Sequence, residues 1–164
     1  MKYYVIAGEA SGDLHASHLM RALKEQDARA EFRFWGGDLM KGEGGEIVKH
    51  YKELAYMGFV PVLLHLPTIL SNMKLCKKDI MQWSPDVLIL VDYPGFNLRL
   101  AERVRKCCPH TKIVYFISPQ VWAWHRGRIP KMVRMLDLMM CIFPFEAPLF
   151  QEAGLRTEFV GHPL

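Results

Sequence analysis

SPDVLILVDYPGFN, residues 84–97, contains the run that decides the fold. Its centre, VLILVD (87–92), is a continuous apolar segment of strand length that ends in one acid. Runs of this kind are typical of parallel strands that are buried on both faces of a sheet. Pro94 and Gly95 follow and force a turn toward the next segment. Residues 84–97 therefore predict a central parallel strand whose carboxyl end carries an acid.

Apolar runs of similar length recur on both sides of this segment, and longer amphipathic stretches separate them. The first such stretch, residues 11–26, repeats leucines at helical spacing and offers Ser11 or Asp13 to cap its first amide groups. The alternation predicts βαβ units in one α/β domain over residues 1–164, a Rossmann-like three-layer sandwich with a mostly parallel sheet. The other predicted strands are KYYVIA (2–7), EFRFWGG (31–37), KIVYFI (112–117), DLMMCIF (137–143) and the start of TEFVGHPL (157–164).

The composition limits the class of protein. With 164 residues, 51% of them hydrophobic and 23% charged, the chain suits one globular domain. The formal net charge of +4 is scattered, so an anionic lipid surface or a phosphorylated substrate suits it, and we predict no nucleic-acid partner. Four cysteines without disulfide or zinc spacing predict reduced cytosolic thiols. We expect no signal peptide, since the amino-terminal apolar run is too short for a signal h-region and lacks a cleavage site. We expect no membrane-spanning segment, since no apolar run reaches about 18 residues.

The polar residues collect directly after the predicted strands, where an open parallel sheet binds its ligands. GEASGD (8–13) is one such turn, and Gly8 and Gly12 allow tight backbone geometry there. Backbone amides at a helix start can hold a phosphate or a sugar hydroxyl, which makes this turn a candidate binding site. The alternative is an ordinary strand-to-helix turn, because the turn matches neither the Walker pattern nor GxGxxG.

Asp92 is the candidate catalytic residue. A carboxyl group at the end of a buried strand can have a raised pKa and can accept a proton from an attacking hydroxyl. The alternative is a structural acid that accepts hydrogen bonds from the amides of its turn. Asn97 is placed to begin the helix that follows.

SPQVWAWHRGR (118–128) concentrates aromatic and basic side chains after another predicted strand. Indoles and cations together suit a sugar ring and a phosphate, through stacking and charge-assisted hydrogen bonds. The alternative is a buried aromatic pair beside a solvated basic helix face. The candidate substrate-binding residues of this segment are Ser118, Trp122, Trp124, Arg126 and Arg128.

Residues 57–80 are unusually apolar and end in lysines. A segment that lies on a membrane surface has this composition, with apolar side chains in the acyl boundary and lysines near anionic head groups. The alternative is a core helix that packs on the sheet and ends in a solvated lysine face. The candidate membrane-contacting residues are Val60, Val62, Leu63, Leu66, Ile69 and Leu70.

The segments follow one another in the order found in lipid-A-disaccharide synthases: GEASGD, LAYMGFVPVL, SPDVLILVDYPGFN, SPQVWAWHRGR, FPFE and GHPL. Over its whole length the chain resembles the amino-terminal half of such an enzyme. The resemblance implies one half of a GT-B glycosyltransferase, in which two Rossmann-like halves face each other across a cleft. It also implies that a carboxy-terminal half, which supplies most contacts with the UDP-sugar, is absent from this chain and that the isolated domain is inactive.

The reaction implied by the resemblance transfers 2,3-diacylglucosamine from UDP to 2,3-diacylglucosamine 1-phosphate. It forms the β-1,6 lipid A disaccharide, releases UDP and inverts the anomeric carbon. No cofactor and no metal are implied, since the UDP-sugar is a substrate. The implied location is cytoplasmic and peripheral, on the anionic inner face of the bacterial inner membrane, and an oligomer is compatible with it.

Individual positions can be carried over from the resemblance. Asp92 aligns with the acid suspected as the general base, and Ser11 and Asn97 align with polar positions that line the cleft. Two positions depart from the family pattern, which often has Arg where His125 stands and Asp where Gly95 stands. Both departures concern groups that can alter local anion binding.

Two other functions are compatible with parts of the pattern. The βαβ alternation alone also suits the nucleotide-binding domain of an oxidoreductase, although the missing GxGxxG speaks against it. A chain of this length could also be a non-catalytic module that binds acylated glucosamine lipids or a membrane surface.

Overall fold

The computed structural model describes residues 1–54, 62–119 and 126–161, and only the backbone at 62–65 and 126. Within these ranges, seven strands form one sheet in the order β3-β2-β1-β4-β5-β6-β7. Every neighbouring pair is parallel, which confirms the predicted α/β class. The strands are β1 (Lys2–Ala7), β2 (Glu31–Gly36), β3 (Glu46–His50), β4 (Val87–Val91), β5 (Lys112–Phe116), β6 (Leu138–Cys141) and β7 (Thr157–Phe159).

Helices cover both faces of the sheet. Alternate side chains of β1 show this directly, because Tyr3 and Val5 pack in one apolar cluster and Tyr4 and Ile6 pack in another. The first cluster includes buried side chains of α1 and α2, and the second includes buried side chains of α3 to α6. The helices are α1 (Ala10–Gln26), α2 (Asp38–Gly42), α3 (Val62–Trp83), α4 (Pro94–Cys107), α5 (Ile129–Met135) and α6 (Glu146–Glu152), with 3-10 turns at Tyr51–Leu54 and Arg126–Arg128.

The strand order reverses between β1 and β4. The chain runs outward from β1 to β2 and β3, then returns to β4 and runs outward in the other direction through β5, β6 and β7. Adjacent loops leave the sheet in opposite directions at such a point, which opens a crevice at the carboxyl ends of the strands. The turns GEASGD and DYPGFN follow β1 and β4, so they meet at this crevice.

The structure differs from the sequence predictions in three places. β3 and α2 were not predicted, because EIVKH (46–50) is a mostly polar edge strand without an apolar run. The predicted capping of α1 by Ser11 or Asp13 is wrong: the helix begins at Ala10, and its amino-terminal cap residue makes no side-chain cap hydrogen bond. The predicted strand over 137–143 is shorter than expected.

Helix α3 packs on the sheet through a buried stripe that includes Met73, Cys76 and Ile80, so the core-helix alternative for residues 57–80 is correct for this face. Asp79 anchors the helix: it accepts hydrogen bonds of 2.7 Å from both Nε and Nη2 of Arg33. These contacts fix which face of α3 turns outward.

Candidate functional site

The GEASGD and DYPGFN turns leave the sheet side by side, because Ala7 of β1 pairs with Val91 of β4. Gly8 is buried against the ring of Tyr93, and a Cβ added at Gly8 would lie 2.5 Å from Cδ1 of that ring. Gly12 is also buried, and its added Cβ would lie 3.2 Å from Cβ of Ala7. Both glycines therefore permit the close approach that forms the crevice.

Asp92 occupies an unusual backbone position at the end of β4. Its φ is 48° and that of Tyr93 is 49°, and both values lie in the left-handed region that non-glycine residues seldom adopt. The Asp92 amide donates a 3.0 Å hydrogen bond to the carbonyl oxygen of Phe116. Its own carbonyl oxygen accepts hydrogen bonds from Nδ2 of Asn97, at 2.8 Å, and from the hydroxyl of Tyr115. Backbone held in this region by surrounding contacts is common at functional sites.

The environment of Asp92 favours the protonated carboxyl group. Burial raises its pKa, and the negative charge of Glu9 in the neighbouring turn raises the pKa further. A hydrogen bond from the backbone amide of Tyr93 opposes both effects. A partly desolvated carboxylate with a raised pKa is a stronger proton acceptor than a solvated one, as general base catalysis requires.

The polar candidates near Asp92 differ in accessibility. Ser11 is exposed on the first turn of α1, whereas Ser118 is buried and donates a 3.1 Å hydrogen bond to the carbonyl oxygen of Pro119. Asn97 is fully buried, and its Nδ2 also lies 3.4 Å from the carbonyl oxygen of Val91. In this structure Asn97 therefore holds the end of β4, and its Oδ1 has no hydrogen-bond partner among the described residues.

Asp13 has a structural role that the sequence did not indicate. Its carboxylate accepts hydrogen bonds from the amides of Gly37 at 2.9 Å, Leu39 at 3.2 Å and Met40 at 3.1 Å. Asp13 thus caps the start of α2 rather than that of its own helix. A Cβ added at Gly37 would lie 2.6 Å from Oδ2 of Asp13, so the glycine pair before α2 was the signal available in the sequence.

The structure places only part of the SPQVWAWHRGR segment (118–128) and of the apolar segment around the start of α3. Arg128 is exposed at the start of α5. Val60, Trp122, Trp124 and His125 lie outside the described residues, as do the side chains of Val62, Leu63 and Arg126.

The outward face of α3 carries apolar side chains beside lysines. Leu66 is 38% exposed and Leu70 is 41% exposed, while Ile69 is partly buried. Lys74 and Lys78 are exposed farther along the same helix. No helix in the described ranges is both long and apolar enough to cross a membrane. We call the exposed residues Leu66, Leu70, Lys74 and Lys78 the α3 surface.

The cysteines and other potential metal ligands do not form a cluster in the part of the chain that the structure describes. All four cysteines are free thiols in this structure. Among the described side chains, no three His, Cys, Asp or Glu residues come together as a metal-binding group.

The sequence matches the family model described as lipid-A-disaccharide synthetase over residues 3–164. Lipid-A-disaccharide synthase of Trichlorobacter lovleyi is 42% identical over 160 residues, which cover 98% of this chain and 41% of the relative. That of Neisseria meningitidis serogroup A is 44% identical over the same shares of the two chains. The chain thus spans about two fifths of the length of these curated relatives.

Two solved structures share the fold at low sequence identity. UDP-GlcNAc 2-epimerase from Neisseria meningitidis, solved with UDP-GlcNAc, has a TM-score of 0.67 at 7% identity, covering 99% of this chain and 46% of that chain. A UGT transferase from Siraitia grosvenorii, solved with UDP, has a TM-score of 0.60 at 9% identity. The match covers 98% of this chain and 50% of that chain. In both, the matched region is about half of a larger protein.

Proposed function

The chain belongs to the lipid-A-disaccharide synthase family, and we propose that it forms the acceptor-side domain of an inverting, UDP-sugar-dependent glycosyltransferase. The complete enzyme transfers 2,3-diacylglucosamine from UDP to 2,3-diacylglucosamine 1-phosphate and releases UDP. The observation that carries the proposal is the position of Asp92, a partly buried carboxyl group with a raised pKa at the crevice where the strand order reverses.

Asp92 acts as the general base in this proposal. Its carboxylate accepts the proton of the acceptor's 6-hydroxyl while the oxygen attacks the anomeric carbon of the donor. The bond between that carbon and the UDP oxygen breaks in the same displacement, which inverts the anomeric centre. The hydrogen bonds from Asn97 and Tyr115 to the carbonyl oxygen of Asp92 hold the backbone that carries the carboxylate in place.

Other groups contact the two substrates in this proposal. The carboxy-terminal half of the enzyme supplies most contacts with the UDP-sugar. Ser11 and Arg128 are exposed at the carboxyl ends of the strands, where they can contact polar groups of the substrates. Trp122 and Trp124 stay predicted contacts for the sugar rings.

The α3 surface supports peripheral binding to the inner face of the inner membrane. Exposed leucines can enter the acyl boundary, and the neighbouring lysines can approach anionic head groups. Binding through the α3 surface brings the domain to the membrane, where the acylated substrates reside. The assignment of this surface rests on the exposure of Leu66 and Leu70.

The proposal is tested with Asp92→Asn in the complete enzyme. Turnover, measured as UDP release with both acylated substrates, should fall by about a hundredfold to ten-thousandfold, because a general base contributes on that order. The matched control is Asp38→Asn, whose side chain is 81% exposed on α2 and which should keep normal turnover. Near-normal turnover of a folded Asp92→Asn enzyme would exclude Asp92 as the base. If the wild-type enzyme with both substrates releases no UDP, the transferase function itself is wrong.

A further inference from the structure

A groove lies between α4 and α5, next to the crevice. Its volume is about 190 Å³, several times the roughly 30 Å³ that a water molecule occupies in the liquid. The floor is apolar and buried, and one end is formed by the first residues of α4. The lining includes Pro94, Gly95, Arg99, Glu102, Arg128 and Lys131.

The rim of this groove is cationic. Arg99, Arg128 and Lys131 are exposed, and an adjoining cavity of about 470 Å³ shares Arg99 and Lys131 with it. Glu102 is the only acid among the described residues that line either cavity, and it lies 3.2 Å from Nζ of Lys131. One carboxylate cannot neutralise these cations, so the groove suits an anionic ligand.

We propose that this groove binds the phosphate of the sugar 1-phosphate acceptor. The assignment rests on the proposed function, since the acceptor hydroxyl must lie beside Asp92 and its phosphate is the acceptor's only anionic group. Gly95 follows Asp92 by three residues, so their Cα atoms are at most about 11 Å apart. A hexosamine ring with its phosphate can bridge a distance of that order.

The experiment measures steady-state kinetics and calorimetric binding on the complete enzyme. In Arg99→Gln and Lys131→Gln, the KM for the acceptor should rise about tenfold or more, because each change weakens charge-assisted contacts with the phosphate. The KM for the UDP-sugar should stay unchanged. Glucosamine 1-phosphate should lose affinity in parallel, whereas Glu102→Gln should gain affinity. Arg134→Gln, an exposed cation on α5 outside the groove, is the matched control.

The binding arm separates this inference from the proposed function. Asp92→Asn should lose turnover and still bind glucosamine 1-phosphate, while glucosamine without phosphate should bind more weakly. A rise in KM for the UDP-sugar instead of the acceptor would overturn the assignment in favour of the donor diphosphate. Inorganic phosphate that binds as tightly as glucosamine 1-phosphate would reduce the groove to a general anion site. Unchanged binding in all groove variants would also overturn the inference.

Discussion

The side-chain amide of Asn97 donates a 2.8 Å hydrogen bond to the backbone carbonyl oxygen of Asp92. The same oxygen accepts a hydrogen bond from the hydroxyl of Tyr115, a residue near the carboxyl end of β5. Two buried donors therefore hold the backbone of Asp92 at a φ of 48°. The orientation of the proposed base depends on two interior residues, Asn97 and Tyr115.

Asn97→Asp should destabilise the protein by about 1–3 kcal/mol, because it replaces a buried donor with an acceptor that faces a carbonyl oxygen. The change conserves side-chain volume, so it tests the hydrogen bond rather than packing. The measurement is the free energy of unfolding from urea titration. Gln26→Glu, an exposed change of the same kind, should shift this free energy by less than about 0.5 kcal/mol. Equal midpoints for the wild type and Asn97→Asp would contradict the positioning role.

Glu9→Gln should move the acid limb of the pH–rate profile to lower pH. Burial raises the pKa of Asp92 first, and the negative charge of Glu9 adds to that effect. Since the base acts when deprotonated, kcat/KM falls as the pH drops through this pKa. Removing the charge of Glu9 lowers the pKa, and the fall then begins at a lower pH.

The comparison is a profile of kcat/KM against pH for the complete enzyme. Glu31→Gln, at the opposite end of the sheet, is the control and should leave the acid limb unmoved. An acid limb that moves upward in Glu9→Gln would be inconsistent with Asp92 as the titrating base.

Asp13→Ala should lower the free energy of unfolding by about 1–3 kcal/mol, because three amides at the start of α2 lose a charged acceptor. At temperatures where the variant stays folded, its KM values for both substrates should stay close to those of the wild-type enzyme. Glu25→Ala, an exposed acid near the end of α1, provides the stability control. A large rise in KM with unchanged stability would instead make Asp13 a substrate contact.

Leu66→Ser with Leu70→Ser should weaken binding of the complete enzyme to vesicles of phosphatidylethanolamine and phosphatidylglycerol by about tenfold, since partial burial of two leucines contributes a few kcal/mol at most. The measurement is co-sedimentation with the vesicles. Leu39→Ser, which is 50% exposed on α2, removes a similar apolar side chain from another part of the surface and should have no effect. Equal binding by both variants would leave the α3 surface without a membrane role.

The local pattern of the chain was sufficient for much of the fold. Continuous apolar runs such as VLILVD (87–92) predicted parallel strands because both faces of a central strand are buried, and β4 spans nearly all of that run. The edge strand β3 was missed because its exposed position removes the need for an apolar run. The position of Asp92 at the end of this strand was predictable in the same way, because the acid directly follows the apolar run.

The surroundings of that acid were decided by tertiary structure alone. Strand pairing sets β1 beside β4 and β4 beside β5, which brings Glu9 and Tyr115 to Asp92 from distant parts of the sequence. The same is true of Asp13, whose carboxylate reaches amides 24 to 27 residues away. Hydrophobic periodicity reports how each segment is buried, whereas the partners of a polar group depend on strand order and on the helix packing that follows from it.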